Sequence, residues 1–277
     1  MAIYYLERAI EESGDEFLAR KILAFAYYNK DDIDSSLFNT RAGLSQKEDP
    51  ELKAFYNRLL KEKNAQEHYI RESTLHFNVL FDGYEHSELS RKVIDILEDA
   101  YNSIGNEMNY FPSQPVTVIL YTEKDFYDVT RVPVWAGGAY DGKIRLAVKG
   151  IERQGDRALR SILFHEYTHA MVYSITPECP IWINEGLAEY FSEENIEKTG
   201  QVIPLTSLEK SFPTNKQQAK TAYRESYSAV SYLIDRFGAY SIKEFLFSLA
   251  EGTDLDEAFA SAFFITYNEF VSEWGKN

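Results

Sequence analysis

His165, Glu166 and His169 lie in the run His-Glu-Tyr-Thr-His, and Trp182 to Tyr190 follows closely with the run Trp-Ile-Asn-Glu-Gly-Leu-Ala-Glu-Tyr. Two histidines four residues apart leave the same face of a helix one turn from each other, so both imidazoles can grip a single ion. Glu166, next to the first histidine, then overlies the position that the histidines leave open. A hydrolytic zinc ion takes three protein side chains and keeps its fourth position for an exchangeable water, whose pKa it lowers toward neutrality. The third side chain must come from elsewhere, and Glu185 is well placed to supply it. Glu185 and Glu189 are again four apart, so one further helix can offer a carboxylate to the metal and a second carboxylate behind it. Glu166 is the expected general base, able to take a proton from water and pass it to a leaving amine. The spacing therefore predicts a hydrolase holding one Zn2+ per chain. Cys179 is the sole cysteine, which excludes an intrachain disulfide and a thiolate cluster and leaves nitrogen and oxygen as the metal's donors.

The second run, Trp182-Ile183-Asn184-Glu185-Gly186-Leu187-Ala188, resembles the third-ligand helix of the gluzincin metallopeptidases, and among them of peptidase MA-like and aminopeptidase-type sequences, which carry Trp-x-Asn-Glu-Gly-x-Ala. That resemblance implies a zinc peptidase in which Glu185 is the third ligand. It puts Glu189 where thermolysin-like members carry an acidic residue that orients a ligand histidine. Aminopeptidase-type relatives also use a tyrosine that opens a later helix as the donor to the developing oxyanion. Tyr223-Arg224-Glu225-Ser226-Tyr227, running into Ala229, Val230, Tyr232 and Leu233, looks like that helix and puts Tyr223 in the donor role, with Tyr227 one turn on as the alternative. Two departures stand out. The gap between His169 and Glu185 is shorter than in most aminopeptidases. Where those carry Gly-x-Met-Glu-Asn, whose glutamate captures a free amine, this chain has Gly137-Gly138-Ala139-Tyr140-Asp141 without a glutamate, so endopeptidase action is expected.

These side chains need elements to position them. The resemblance covers roughly residues 72–277 and implies an α+β gluzincin-like catalytic domain: a small mixed sheet lobe over 72–155, a helical lobe over 156–277, and the metal site between them. Alternation over Leu75, Phe77, Val79 and Phe81 predicts a strand ending at Asp82-Gly83, and Pro115 to Tyr121 predicts another. Trp135 to Gly142 reads as a glycine-rich tight turn before a short strand, 143–148; the functional alternative is that this strand forms a sheet edge beside the metal along which an extended peptide pairs. Helices are expected over 156–173 with the metal motif, 181–193 with the second motif, and 218–237, stopped by Gly238, with three shorter ones to the end.

Residues 1–71 read as an α-helical arm. Leu6, Ala9 and Ile10 form one apolar stripe, Leu18, Ile22, Phe25 and Ala26 a second, and Leu37, Phe38, Ala42 and Leu44 a third. Glu7-Arg8-Ala9 is echoed by Thr40-Arg41-Ala42, and Gly14-Asp15 by Glu48-Asp49, at the spacing of the tetratricopeptide repeat, which this arm resembles and which would offer a protein partner a surface.

The excess of 44 acidic over 29 basic residues, a net charge of −15, argues against nucleic acid as a partner; the peptidase resemblance implies a peptide or protein substrate, with a non-peptide amide as the alternative. No apolar run reaches membrane-spanning length, and the first residues lack a basic, apolar signal core. The chain starts inside a helical pattern, which fits a piece of a longer exported or envelope-associated precursor and leaves the compartment open. The competing expectation is a helical-repeat scaffold with a vestigial or structural zinc site; the exchangeable fourth position argues against it, because structural zinc is closed by a fourth side chain.

Overall fold

Four helices in succession open the fold: α1 (Ala2–Glu12), α2 (Glu16–Asn29), α3 (Ile33–Gln46) and α4 (Pro50–Ala65), each packed on its neighbour in sequence. In this computed structural model the described residues are 2–12, 16–83, 87–131, 138–149, 155–192 and 202–274. Asp32 and Asp49 cap α3 and α4 by accepting from the Ser35 and Leu52 amides, and Pro50 follows in the first turn of α4, where its missing N–H costs nothing. The buried side of α2 is Ala19, Leu23, Ala24 and Tyr28, whereas Leu18 and Ile22 face outward, and so does Phe38 on α3. The apolar stripes expected on these two helices are thus corrected. The reason is that α3 turns small polar residues inward: Ser36 donates to the Ala24 carbonyl at 2.7 Å, Thr40 to the Ser36 carbonyl at 2.7 Å, and Asn39 accepts from Arg20 at 3.0 Å. Satisfied in this way, polar groups tolerate burial and leave no hydrophobic period to read.

Five strands form one sheet in the order β1-β2-β3-β5-β4: β1 (Tyr69–Ser73), β2 (Phe77–Asp82), β3 (Val116–Tyr121), β4 (Gly138–Tyr140) and β5 (Ile144–Ala147). β2, β3 and β5 run parallel, with β1 and β4 antiparallel at the two edges. The inner strands are nearly continuous apolar runs because both faces are covered. Phe77, Val79, Phe81, Val118, Leu120, Ile144 and Leu146 meet the main core with α5 (Ser87–Met108). On the other face Leu80, Ile119, Tyr121 and Ala147 meet Phe126 and Val129 of α6 (Glu123–Thr130). The expectation that residues 143–148 form the edge is overturned, since β5 is paired on both sides and the edge is β4, a three-residue Gly-Ala-Tyr strand too short to register as a period.

A second run of helices completes the chain: α7 (Asp156–Ile175), α8 (Ile181–Phe191), a short 3-10 turn at Leu205–Leu208, α9 (Lys216–Phe237), α10 (Ala239–Ala250), α11 (Leu255–Phe263) and α12 (Tyr267–Trp274). Gly238 ends α9 at φ +82°, a conformation that favours glycine. With its small mixed sheet preceded by helices and followed by helices, the fold is α+β. Gly14 and Asp15 of the expected repeat, the Trp135–Gly137 part of the expected turn and residue 193 lie outside the described residues. No helix of the described residues is long and apolar enough to cross a membrane.

Candidate metal centre

α7 is gripped on one side by Leu159, Leu163, Phe164, Tyr167, Ala170 and Met171, all in the main core. That leaves His165 and His169 on the side facing α8, with their rings edge to face and their Nε2 atoms 3.1 Å apart. α8 lacks a side-chain cap. It is fixed instead by the Ile181 amide donating to the Glu209 carbonyl at 2.9 Å and by Trp182, buried and stacked at 5.8 Å on Phe270 and 6.3 Å on Tyr267. One turn of helix past that anchor, Glu185 Oε2 comes within 3.7 Å of His165 Nε2 and 3.5 Å of His169 Nε2.

Three donors about 2.1 Å from a tetrahedral ion stand roughly 3.4 Å from one another. The separations of 3.1, 3.5 and 3.7 Å bracket that value. Among the described residues these three side chains are the cluster whose ligand atoms gather in this way, all within 4.8 Å. Glu185 Oε2 is also buried without a hydrogen-bond partner, an expensive state for a carboxylate oxygen unless a cation meets it. The donor set of two imidazoles and a carboxylate therefore fits zinc.

The two imidazoles differ in their electrostatics. Burial, followed by the nearby His169, drives the His165 imidazole well below its usual range and keeps it neutral, as a ligand must be. Burial also depresses His169, but Glu185, Glu166 and Asn184 together outweigh it and raise the ring. Glu185 is raised by burial, with His169 opposing. A divalent cation between these groups would reverse both upward shifts.

Asn184, named in the second motif only for its resemblance, has a job the residue types alone did not disclose. Its Oδ1 lies 3.0 Å from His169 Nδ1, and since an amide oxygen only accepts, Nδ1 carries the proton and Nε2 keeps its lone pair for the site. Glu189 Oε1 lies 3.7 Å from His165 Nδ1, behind the other ring. Gly186 completes the motif by permitting contact: a Cβ there would fall 2.4 Å from the Ser226 carbonyl oxygen, so α8 and α9 touch through backbone. That contact brings Tyr223 to the site.

The Tyr223 hydroxyl is raised by burial and then by the charges of Glu185, Glu189 and Glu166. Tyr227, one turn further along α9, is half-buried. Two residues past Tyr223, buried Glu225 accepts from the Ile203 amide at 3.0 Å and from the Val202 amide, tying the incoming chain to α9.

Glu166 is buried, and burial pushes its carboxyl up to about 7, with His169 pulling it down and Glu185 adding to the rise. A Cβ on Gly138 would lie 2.7 Å from Glu166 Oε1, so edge strand β4 runs directly against this carboxylate. Beside it opens a cleft of about 270 Å³ lined by Tyr140, Asp141, His169, Tyr173, Cys179 and Asn184, among others. Cys179 is half-buried there, with its thiol pushed up by burial, the inert form of a cysteine.

The chain is 24% identical over 128 residues to the uncharacterized protein YhcO of Bacillus subtilis (strain 168), an alignment that takes in 42% of this chain and 40% of that protein. A family model described as the Peptidase MA superfamily matches residues 98–276, a span that contains both motif helices and α9; the chain belongs to the Peptidase MA superfamily.

Proposed function

We propose that this chain is a zinc-dependent peptidase that hydrolyses peptide bonds, and that it acts as an endopeptidase. The observation that carries the reading is the convergence of His165, His169 and Glu185 on one point, with an unpartnered Glu185 oxygen turned into it and Glu166 alongside. Held by those three side chains, zinc would supply Lewis acidity, activating a water and polarising the scissile carbonyl. Glu166 accepts the proton of the attacking water and delivers it to the leaving amine, a role suited to a carboxyl held near neutrality. Tyr223 donates its O–H to the oxygen that gains charge as the carbonyl becomes tetrahedral. Asn184 and Glu189 hold the two imidazoles in place. β4 lies at the sheet edge, so its free side can pair with an extended peptide and lay the scissile bond over Glu166.

Within this reading residues 72–277 are the gluzincin-like catalytic domain and residues 1–71 a tetratricopeptide-like arm, supported by consecutive packing of α1 to α4. The arm exposes Tyr4, Tyr5, Leu18, Ile22 and Phe38, apolar surface of the kind a protein partner covers. The amine-capturing glutamate of aminopeptidases is missing from Gly138 to Asp141, which favours cleavage inside a chain.

Incubating the zinc-loaded chain with a library of end-blocked peptides tests the proposal. Internal cleavage is expected, and Glu166→Gln should lower it by about 10³-fold or more while zinc stays bound, because the base is lost and the ligands remain. Equal cleavage by wild type and Glu166→Gln would refute the mechanism.

A further inference from the structure

Edge strand β4 is short and leads into a loose turn. It has three residues, Gly142 in the turn sits at φ +96°, and the turn's own backbone hydrogen bond, from the Asp141 amide to the Lys143 carbonyl, is long at 3.3 Å. Nevertheless the strand must stay close to Glu166, and Tyr140 must stay packed edge to face on Tyr173 of α7 with centroids 5.9 Å apart, for the cleft to keep its shape.

What holds this turn comes from the arm. Asp141 accepts from Arg145 Nε at 3.0 Å and from the Arg58 guanidinium of α4, a residue 83 positions away. Arg145 is itself immobilised: it is fully buried and donates to Glu62 at 3.0 Å, to the Tyr121 hydroxyl at 2.8 Å and to the Tyr28 hydroxyl. Neighbouring Lys143 donates to Asp31 at 2.6 Å and Glu62 at 3.2 Å. Arg58 also donates to Tyr28 at 3.1 Å, and the Asn29 side-chain oxygen lies 3.8 Å from where a Cβ on Gly142 would be. Glu62, Tyr28, Asp31 and Arg58 all belong to the helical arm, so the arm closes over the β4–β5 turn as a set of directed, charge-assisted bonds.

The geometry points to Arg58 as a positioning residue: through Asp141 it fixes the β4–β5 turn, and thereby the register of β4 against Glu166 and of Tyr140 in the cleft. The statement of what β4 does rests on the peptidase reading; the statement of what holds β4 does not. Arg58 is about a third exposed, 31%, so it can be changed without stranding a buried charge; Asp141, 30% exposed, also accepts from buried Arg145, which keeps Glu62 as a partner when Asp141 is changed.

The experiment measures amide hydrogen exchange across residues 138–143 in the full-length chain, for wild type, Arg58→Gln, Arg58→Lys, Asp141→Asn and the double variant. Arg58→Gln should speed exchange there by about tenfold while α7 keeps its protection, and Arg58→Lys should restore most of the difference. Asp141→Asn should act in the same direction, and the double variant should add little, as expected for two groups in one interaction. For any peptide the wild type cleaves, Arg58→Gln should raise KM by roughly three- to tenfold with kcat within about twofold. Unchanged exchange at 138–143 in a folded Arg58→Gln chain, or loss of protection spread equally over α7, would overturn the proposal. A wild type that cleaves no peptide would count against the peptidase reading alone, and the exchange result would still decide whether Arg58 clamps the turn.

Discussion

Replacing Gly186 by alanine presses on the contact that joins the metal ligand to its proposed oxyanion donor. A Cβ at this position would sit 2.4 Å from the Ser226 carbonyl oxygen, 2.5 Å from Val230 Cγ2 and 2.7 Å from the Ser226 carbonyl carbon. Ordinary contact begins near 3.4 Å, so α8 and α9 must part by about 1 Å. Two of the three clashing atoms are backbone inside a buried helix, and no rotamer change relieves them. Overpacking of this kind costs about 1–3 kcal/mol, partly offset by the ~1 kcal/mol that alanine gains over glycine in a helix, so a net loss of up to about 2 kcal/mol is expected in urea unfolding. The effect on activity should be larger than the effect on stability. Tyr223 lies one turn before Ser226 on α9, and a displacement of about 1 Å in a positioning group can cost roughly 10²-fold in kcat/KM. Zinc content should match wild type, because all three donors lie on α7 and α8. The reasoning is refuted if Gly186→Ala unfolds at the wild-type urea midpoint and cleaves peptide at the wild-type rate.

Two further predictions concern the arm and the ligand histidine. Arg145 and Lys143 overcome the upward push of burial on Glu62 and hold its carboxyl down at about 2, against an ordinary value of 4.5. A folded pKa below the unfolded one contributes stability above about pH 4.5 that is lost as pH falls toward 2; at 1.36 kcal/mol per unit this is about 3 kcal/mol. Glu62→Gln should therefore be less stable than wild type by about 3 kcal/mol at pH 7, with the gap narrowing as pH drops from about 5 to 2. Unfolding free energies measured across that range check it, and a gap independent of pH would contradict the assignment. Asn184→Ala should weaken zinc binding by about 10- to 100-fold by freeing the His169 ring, measured by competition with a chromophoric chelator; unchanged affinity would remove Asn184 from the site.

The site and the fold were legible to different degrees, and for physical reasons. That His165 and His169 share one face was legible because a fixed helical period converts spacing into direction, and the same holds for the long helix that ends at Gly238; Glu185, on another helix, was legible only through the resemblance of its motif. β5 was visible as a short strand behind the glycine-rich turn, but its neighbour β4 was not: Gly138, Ala139 and Tyr140 carry no alternation, and their importance lies in how closely a residue without a side chain can approach Glu166. β1, Tyr69–Ser73, has only exposed and partly covered residues at an edge and no alternation, which gives little hydrophobic signal, and α6 is a single short amphipathic stretch after β3. The buried faces of α2 and α3 were misread because Ser36, Asn39 and Thr40 are inside and Leu18, Ile22 and Phe38 outside, a pattern that hydrogen bonds permit and hydropathy does not record. Long-range partners were invisible altogether, since nothing local to Arg58 or Glu62 points to Asp141 or Arg145.

The central claim is that three side chains from two neighbouring helices hold one zinc ion and leave it a corner for chemistry. Crystals grown in zinc and measured on both sides of the zinc absorption edge test it most directly. One anomalous peak per chain is expected, about 2.0–2.2 Å from His165 Nε2, His169 Nε2 and a Glu185 carboxylate oxygen, with a fourth position not filled by protein. A chain with no peak between the two imidazoles, or with a fourth side chain closing the site, would contradict the account.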